Sequence, residues 1–192
     1  MLILASLVFV AFDSLWSVPL MLAVVIANWV LGLCVCKWGR IFLWGGAALD
    51  VAVLVSCRLL SQPLPGVSYL VFSLISYLAD VYRGDQEPVP AALFGAYAGM
   101  FPRLIAGPIA RAGQVVPELE APECTLQRLE RGAGLVILGL AYKVLLADSL
   151  AGLWSTAGKI GYESLSCPMA WLCAVGFSLQ LYFDFHGCSL MA

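Results

Sequence analysis

The sequence predicts an all-α, polytopic integral membrane protein with about six to seven membrane-embedded helical segments, one of them kinked or re-entrant. Three observations carry that prediction. Of 192 residues, 62% are hydrophobic and 11% charged, with a mean hydropathy of +0.94, whereas soluble domains run near half apolar and a quarter charged. The apolar residues are gathered into runs that approach the ~20 residues a helix needs to cross hydrocarbon. One such run is interrupted: "MFPRLIAGPIAR", residues 100–111, places two prolines, a glycine and two arginines among oily neighbours. The natural surroundings of such a chain are a lipid bilayer. Its net charge of −2 creates no basic field, which argues against nucleic acid as a partner.

Taken in order, residues 1–12, "MLILASLVFVAF", are apolar but lack a basic leader and a cleavage site before Asp13. They read as part of a span rather than a signal peptide, though too short for a complete crossing. A second segment runs from about Leu15 to Cys36 and closes at Lys37 and Arg40. Tryptophans at 16, 29, 38 and 44 include several at interfacial positions, where indole rings settle. A third, from about Ile41 to Leu60, carries Asp50 and Arg58, and Pro63 and Pro65 then mark a turn. The fourth, "GVSYLVFSLISYLADVYRG", spans Gly66 to Gly84. Ser73, Tyr77, Asp80 and Gly84 recur there at helical spacing, so one face is polar while Leu70, Phe72, Leu74 and Leu78 supply apolar surface. Arg83 lies within pairing distance of Asp80; the plainer reading is a helix end anchored at the interface by both.

The fifth segment, about Ala91 to Ile109, contains the interrupted stretch. Pro102 and Pro108 each lack an amide hydrogen and bias the preceding residue away from helical angles. Backbone broken at membrane depth survives only when buried in protein or bordering water. Two readings fit: a re-entrant element that turns Arg103 and Arg111 into an internal wet cavity, or a proline-kinked helix whose arginines snorkel to headgroups. Seven charges between 111 and 131 (Arg111, Glu118, Glu120, Glu123, Arg128, Glu130 and Arg131) make that region an aqueous loop with an interfacial helix. A sixth segment covers about Gly132 to Leu150 and a seventh starts near Pro168. Lysines and arginines are spread too evenly to orient the chain.

Candidate chemistry is sparse. The seven cysteines are odd in number and lie mostly in apolar runs; with no zinc-like spacing, neither a metal site nor a disulfide framework is expected. Gln180, Asp184 and Cys188 share a helical face, and Tyr182 or an arginine is the expected partner for Asp184. Lys143 reads as a snorkelling residue near a helix end. Gly95 and Gly99 form a small-residue face for close helix contact.

Four stretches together carry a family resemblance: "YLVFSLISYLADVYRG", "FPRLIAGPIAR", "GLAYKVLLAD" and "LQLYFDFHG", in that order over residues 66–192. They resemble the membrane-bound O-acyltransferase family, and within it the bacterial branch typified by alginate O-acetyltransferase. The resemblance implies a multi-pass enzyme of the bacterial inner membrane that moves an acetyl group onto a hydroxyl of an exopolysaccharide such as alginate, or onto a carrier partner. It implies a channel reached from both sides, no bound cofactor, an acyl donor such as acetyl-CoA, and partner proteins of polysaccharide modification. The family's catalytic histidine lies downstream of the "YFDF" motif and has no position here, so the expectation is a single membrane region over 1–192, incomplete and inactive by itself. His186, the only histidine, stands where the family has serine and is a weak catalytic candidate, since positions 184 and 186 do not face each other on a helix. Leu190 replaces an aspartate of the family pattern. The residues expected to form or support the channel element are Asp80, Arg83, Pro102, Arg103, Gly107, Pro108, Arg111, Tyr182 and Asp184. The competing class is a non-enzymatic transporter or accessory subunit, because broken helices and intramembrane charges also mark transport sites.

Overall fold

In a chain this apolar the backbone amides and carbonyls find few partners other than each other, and helices close those bonds within each segment. The computed structural model describes residues 2–13, 17–59, 66–104, 107–122, 124–160 and 166–192, and every regular element among them is helical. The turn expected at Pro63 and Pro65 lies outside the described residues. Residues group into two units, 1–123 and 124–192.

The first unit contains α1 (Leu2–Asp13), α2 (Ser17–Trp38), α3 (Arg40–Leu59), α4 (Val67–Arg83), α5 (Ala91–Ala98), α6 (Phe101–Leu104) and α7 (Ala112–Glu120). Helices α2 and α3 form a hairpin whose hinge is Gly39, at φ 69°, a left-handed angle that costs glycine little and side-chain-bearing residues more. Midway along the hairpin the Asn28 amide donates to Asp50 Oδ1 at 2.7 Å, and both side chains are fully buried. Helix α4 packs into the hairpin at small residues: a Cβ on Gly46 would stand 2.6 Å from Leu78, and one on Gly32 would stand 2.8 Å from the Tyr77 ring. The segregated faces expected for α4 do not occur. Tyr77 and Asp80 are buried together with Leu70, Leu74 and Leu78, while Phe72 is half exposed. The reason is that α4 is wrapped by protein on both its leucine and its tyrosine sides.

Residues 84–90 join α4 to α5, and Val89 ties them to the hairpin and α4. Val89 donates its amide hydrogen to the Tyr77 hydroxyl at 3.2 Å, and its carbonyl accepts from Trp29 Nε1 at 3.0 Å. Both polar groups of Val89, itself buried, are thereby satisfied by the helices beneath.

The second unit is built from one long bent rod and one partner helix. Helix α8 (Leu126–Ala141) passes through a π-helical turn at Tyr142–Ala147 into α9 (Asp148–Ile160), and α10 is Cys167–Met191. Thr125 caps α8 by accepting from the Arg128 amide at 3.3 Å. Glu118 and Glu120 fall in α7, and Arg128, Glu130 and Arg131 in the first turns of α8, so the charged stretch expected as a loop with a helix is mostly helical. Against the π turn, α8 and α10 touch backbone to backbone. A Cβ on Gly139 would lie 2.6 Å from the Gly187 carbonyl oxygen, and one on Gly187 would lie 2.6 Å from that of Gly139. Beside this contact Lys143 forms an ion pair with Asp184.

Among the described residues, three helices are long and apolar enough to cross a bilayer: Ser17–Trp38, Arg40–Leu59 and the continuous rod Leu126–Gly152. Much of their apolar surface is outward, as lipid contact requires: only 33%, 17% and 11% of their most apolar windows are buried. Six or seven embedded segments were expected. Of the others, α1 and α4 are 12 and 17 residues long, short of the ~20 needed for a crossing. The fifth segment is divided between α5 and α6, of eight and four residues. Helix α10 has 25 residues, but Gln180, Asp184 and His186 leave it less apolar than the three.

Two outcomes follow from the second unit's packing. Gly187→Val drives methyl groups into the Gly139 backbone, which cannot yield as a flexible side chain would, and is expected to cost about 1–3 kcal/mol, read as a lowered melting midpoint in detergent. For the half-exposed ion pair, Lys143→Met and Asp184→Leu should each lower that midpoint, and the double variant should recover most of the loss, because the unpaired charge rather than the missing attraction is the larger penalty.

Candidate functional site

The interrupted stretch forms the candidate site in the first unit. Helix α5 ends at Gly99, and α6 starts two residues later with Pro102 in its first turn, where a missing amide hydrogen costs the helix nothing. The Phe101 amide is instead satisfied by α1, donating to Ser6 Oγ at 3.2 Å. Gly107 folds back against Arg103: its amide donates to the Arg103 carbonyl at 3.1 Å, and a Cβ on it would stand 2.4 Å from Arg103 Cα. Only a residue without a side chain permits that approach. Residues 107–111 then run without regular structure to α7. Their exposed-backbone problem is met by Tyr97, whose hydroxyl proton lies between the carbonyl oxygens of Ala110, at 3.0 Å, and Ser73, at 3.4 Å.

Behind the fold-back is a small cavity of about 20 Å³, room for roughly one water. Tyr69 and Ser73 of α4, Tyr97 of α5, Arg103 of α6, and Pro108 line it. The Arg103 guanidinium is half-buried, and its hydrogen-bond partners among the described residues are the Pro108 carbonyl, at 3.4 Å, and the Met100 sulfur, at 3.9 Å. No carboxylate pairs with it among the described residues. A guanidinium carries five N–H donors in a fixed fork, so most of its capacity is available to a water or an anionic oxygen entering the cavity.

The other expected site residues of this unit are distributed differently. Gly107 is buried at the fold-back, whereas Pro102, Pro108 and Arg111 are exposed. Arg111 does not line the cavity. It starts α7, and its carbonyl accepts the amides of Gln114 and Val115 at 3.1 and 3.4 Å. The two arginines part because residues 107–111 are not helical, which removes the eight-residue register that would align them. Asp80 is only 5% exposed while Arg83 is exposed, and no ion pair joins them. Helix α4 ends at Gly84, and Arg83 lies in its last turn, where a cation is stabilised by the free carbonyl end.

In the second unit Asp184 takes neither Tyr182 nor an arginine as its partner but Lys143, which is therefore not a snorkelling residue. The signal was present in the sequence: two opposite charges in separate apolar runs are expected to seek each other in a bilayer. What could not be read was the π turn and the paired glycines that bring position 143 against position 184. Aromatic residues next to the pair in sequence contact one another. Tyr182, 59% exposed, stacks on His186 at 5.7 Å; Tyr142 meets His186 edge-on at 5.2 Å and stacks on Phe183 at 5.8 Å. His186 thus makes ring contacts and no hydrogen bond to Asp184, so the carboxylate that would orient a catalytic imidazole is engaged elsewhere. Gln180, one turn before Asp184, has a buried carbonyl oxygen with no partner. Among the described residues no group of three or more His, Cys, Asp or Glu side chains could hold a metal ion.

The cavity thus lies between the first two of the four family-like stretches, with Tyr97 from the segment that joins them, and the ion pair joins the last two. No family model matches the chain, and no solved structure matches it. Curated relatives do. A protein named "probable alginate O-acetylase AlgI" from Azotobacter vinelandii is 40% identical over 131 residues, 66% of this chain and 25% of its own length. The protein of the same name from Pseudomonas fluorescens is 33% identical over 207 aligned residues, covering 100% of this chain and 41% of its own length. A "peptidoglycan O-acetyltransferase" from Helicobacter pylori is 26% identical, covering 100% of this chain and 46% of its own length. The chain therefore spans between a quarter and a half of the length of these relatives. Motif order and relatives agree, and the chain belongs to the membrane-bound O-acyltransferase family, in its alginate O-acetylase-like branch.

Proposed function

We propose that this chain forms part of a multi-pass enzyme of the bacterial cell membrane that transfers an acetyl group from a thioester such as acetyl-CoA to a hydroxyl of an exported polysaccharide, alginate being the leading candidate, or to a carrier partner. The names of the relatives support the reaction class. The observation that carries the reading is Arg103: a cation with no carboxylate partner among the described residues, on a broken helix, facing a cavity bounded by Tyr69, Ser73 and Tyr97. In such a transfer the hydroxyl oxygen attacks the thioester carbonyl, the thiolate leaves, and a base removes the hydroxyl proton. Negative charge gathers on the carbonyl oxygen, and donors held ready for it lower the barrier. Arg103 is suited to hold an anionic oxygen of donor, acceptor or transition state, and Tyr97 positions it by tethering Ala110 and so the fold-back. No residue of this chain is assigned the base. Helices α1, α4 to α6 and α10 complete the six or seven embedded segments in this reading, with the shorter ones seated among full spans. Proteins of polysaccharide modification are its expected partners.

The test uses the gene product that contains this chain, expressed in a host lacking its own polysaccharide O-acetylase and supplied with labelled acetyl donor. Ester-linked label on exported polymer is the readout. Arg103→Ala should reduce it roughly ten- to hundred-fold, the value of one charge-assisted hydrogen bond, with an unchanged melting midpoint. Tyr97→Phe frees the Ala110 carbonyl and should lower both the midpoint and the label. Export without any ester label from the unmodified protein would favour a transporter or accessory subunit instead.

A further inference from the structure

The centre of the α2–α3 hairpin holds a polar pair that acyl transfer does not call on. Both hydrogens of the Asn28 amide group are spent, on the Val24 carbonyl at 3.1 Å and on Asp50 Oδ1 at 2.7 Å. Two atoms remain: Asn28 Oδ1 and Asp50 Oδ2, each buried and each without a hydrogen-bond partner. Both are acceptors. Buried acceptors are ordinarily satisfied, and here the two orphans belong to the same pair.

Position sharpens the problem. Asn28 and Asp50 are equidistant in sequence from Gly39, about 16 Å along each helix at a rise of ~1.5 Å per residue, which is about half of a ~30 Å hydrocarbon core. Both side chains are 0% exposed. The basic residues of the hairpin, Lys37, Arg40 and Arg58, stand at its ends. The buried titratable groups on the packed helices are Cys57 of α3, Tyr77 and Asp80 of α4, and Tyr97 of α5, none of them a cation; Tyr77 is engaged with Val89 and Tyr97 with Ala110. Asn28 is the one side chain that hydrogen-bonds Asp50. A carboxylate in that place would be an uncompensated charge in the interior of a membrane protein.

One hydrogen resolves all of it. We propose that Asn28 and Asp50 together form a proton-binding site, in which Asp50 is a neutral carboxylic acid whose Oδ2–H donates to Asn28 Oδ1 and closes an eight-membered acid–amide ring. The carboxyl torsion that aligns the second bond is soft. The proton comes from water as the hairpin leaves the aqueous phase, and the site then carries no net charge and leaves no orphaned acceptor. This assignment is independent of the acyl-transfer reading.

The substitution that separates this site from an ion pair or a plain buried contact is Asp50→Asn. Its amide can accept from Asn28 and donate back to Asn28 Oδ1, which rebuilds the ring without an added proton, whereas Asp50→Ala cannot. The gene product containing this chain is reconstituted in lipid bilayers at neutral pH and examined by infrared spectroscopy and thermal melting. The unmodified protein should show the carbonyl stretch of a protonated carboxyl, shifted on exchange into heavy water and missing from Asp50→Asn. That variant should melt at the wild-type temperature, and Asp50→Ala several degrees lower. Absence of the protonated band, or an Asp50→Asn midpoint as low as that of Asp50→Ala, overturns the proposal. Should Asp50→Ala fail to accumulate, the infrared comparison of wild type with Asp50→Asn decides alone.

Discussion

Hydrocarbon surfaces do not tell one neighbour from another inside a bilayer, so the few polar contacts between helices select the arrangement. The Asn28–Asp50 hydrogen bond does this for the first unit. It joins α2 to α3 at mid-length and at equal distance from the Gly39 hinge, which fixes their register. Shifting either helix by one turn would leave two buried polar side chains facing leucine and valine. The groove of the hairpin receives α4 at Gly32 and Gly46, and α4 in turn presents Tyr77 and Ser73 to the segments that follow.

From that base the broken backbone becomes affordable in physical terms. Residues 85–90 and 107–111 lie outside regular helix, and aromatic side chains bond backbone groups within them. Trp29 and Tyr77 serve Val89, and Tyr97 serves Ala110. Each of these rings has an apolar body that packs like a hydrophobe and one polar atom that reaches backbone, the combination a buried loop needs. The cavity under the fold-back exists because Tyr97 and Gly107 hold the extended segment in place over α6, and Arg103 faces it with most of its donors uncommitted.

The second unit meets the same constraint by other means. Paired glycines remove the side chains between α8 and α10, the π turn displaces Tyr142–Ala147 from ideal helical register, and Lys143 reaches Asp184 as a result. A π turn is a rare conformation that tends to mark functional positions. Here it coincides with the meeting of two of the stretches that relate this chain to acyltransferases. Tyr142, Tyr182, Phe183 and His186, neighbours of the pair in sequence, form a cluster of ring contacts between the same two helices.

The sequence by itself determined the class of environment, the helical character, the α2–α3 hairpin to within a few residues, and the existence of a break at Pro102–Pro108. Composition, run length and backbone chemistry are local sums, and they are unaffected by what packs against them. It also carried the family likeness, which resides in the order of four short stretches. Tertiary structure alone decided the partners. Asp184 chose Lys143 over Tyr182, Arg103 faces a cavity that Arg111 does not, Asp80 is buried apart from Arg83, and Asn28 meets Asp50. A side chain's partner depends on which helix arrives, at what depth and rotation. Those are set by glycine contacts and backbone turns spread over distant parts of the chain, so spacing within one segment cannot reveal them.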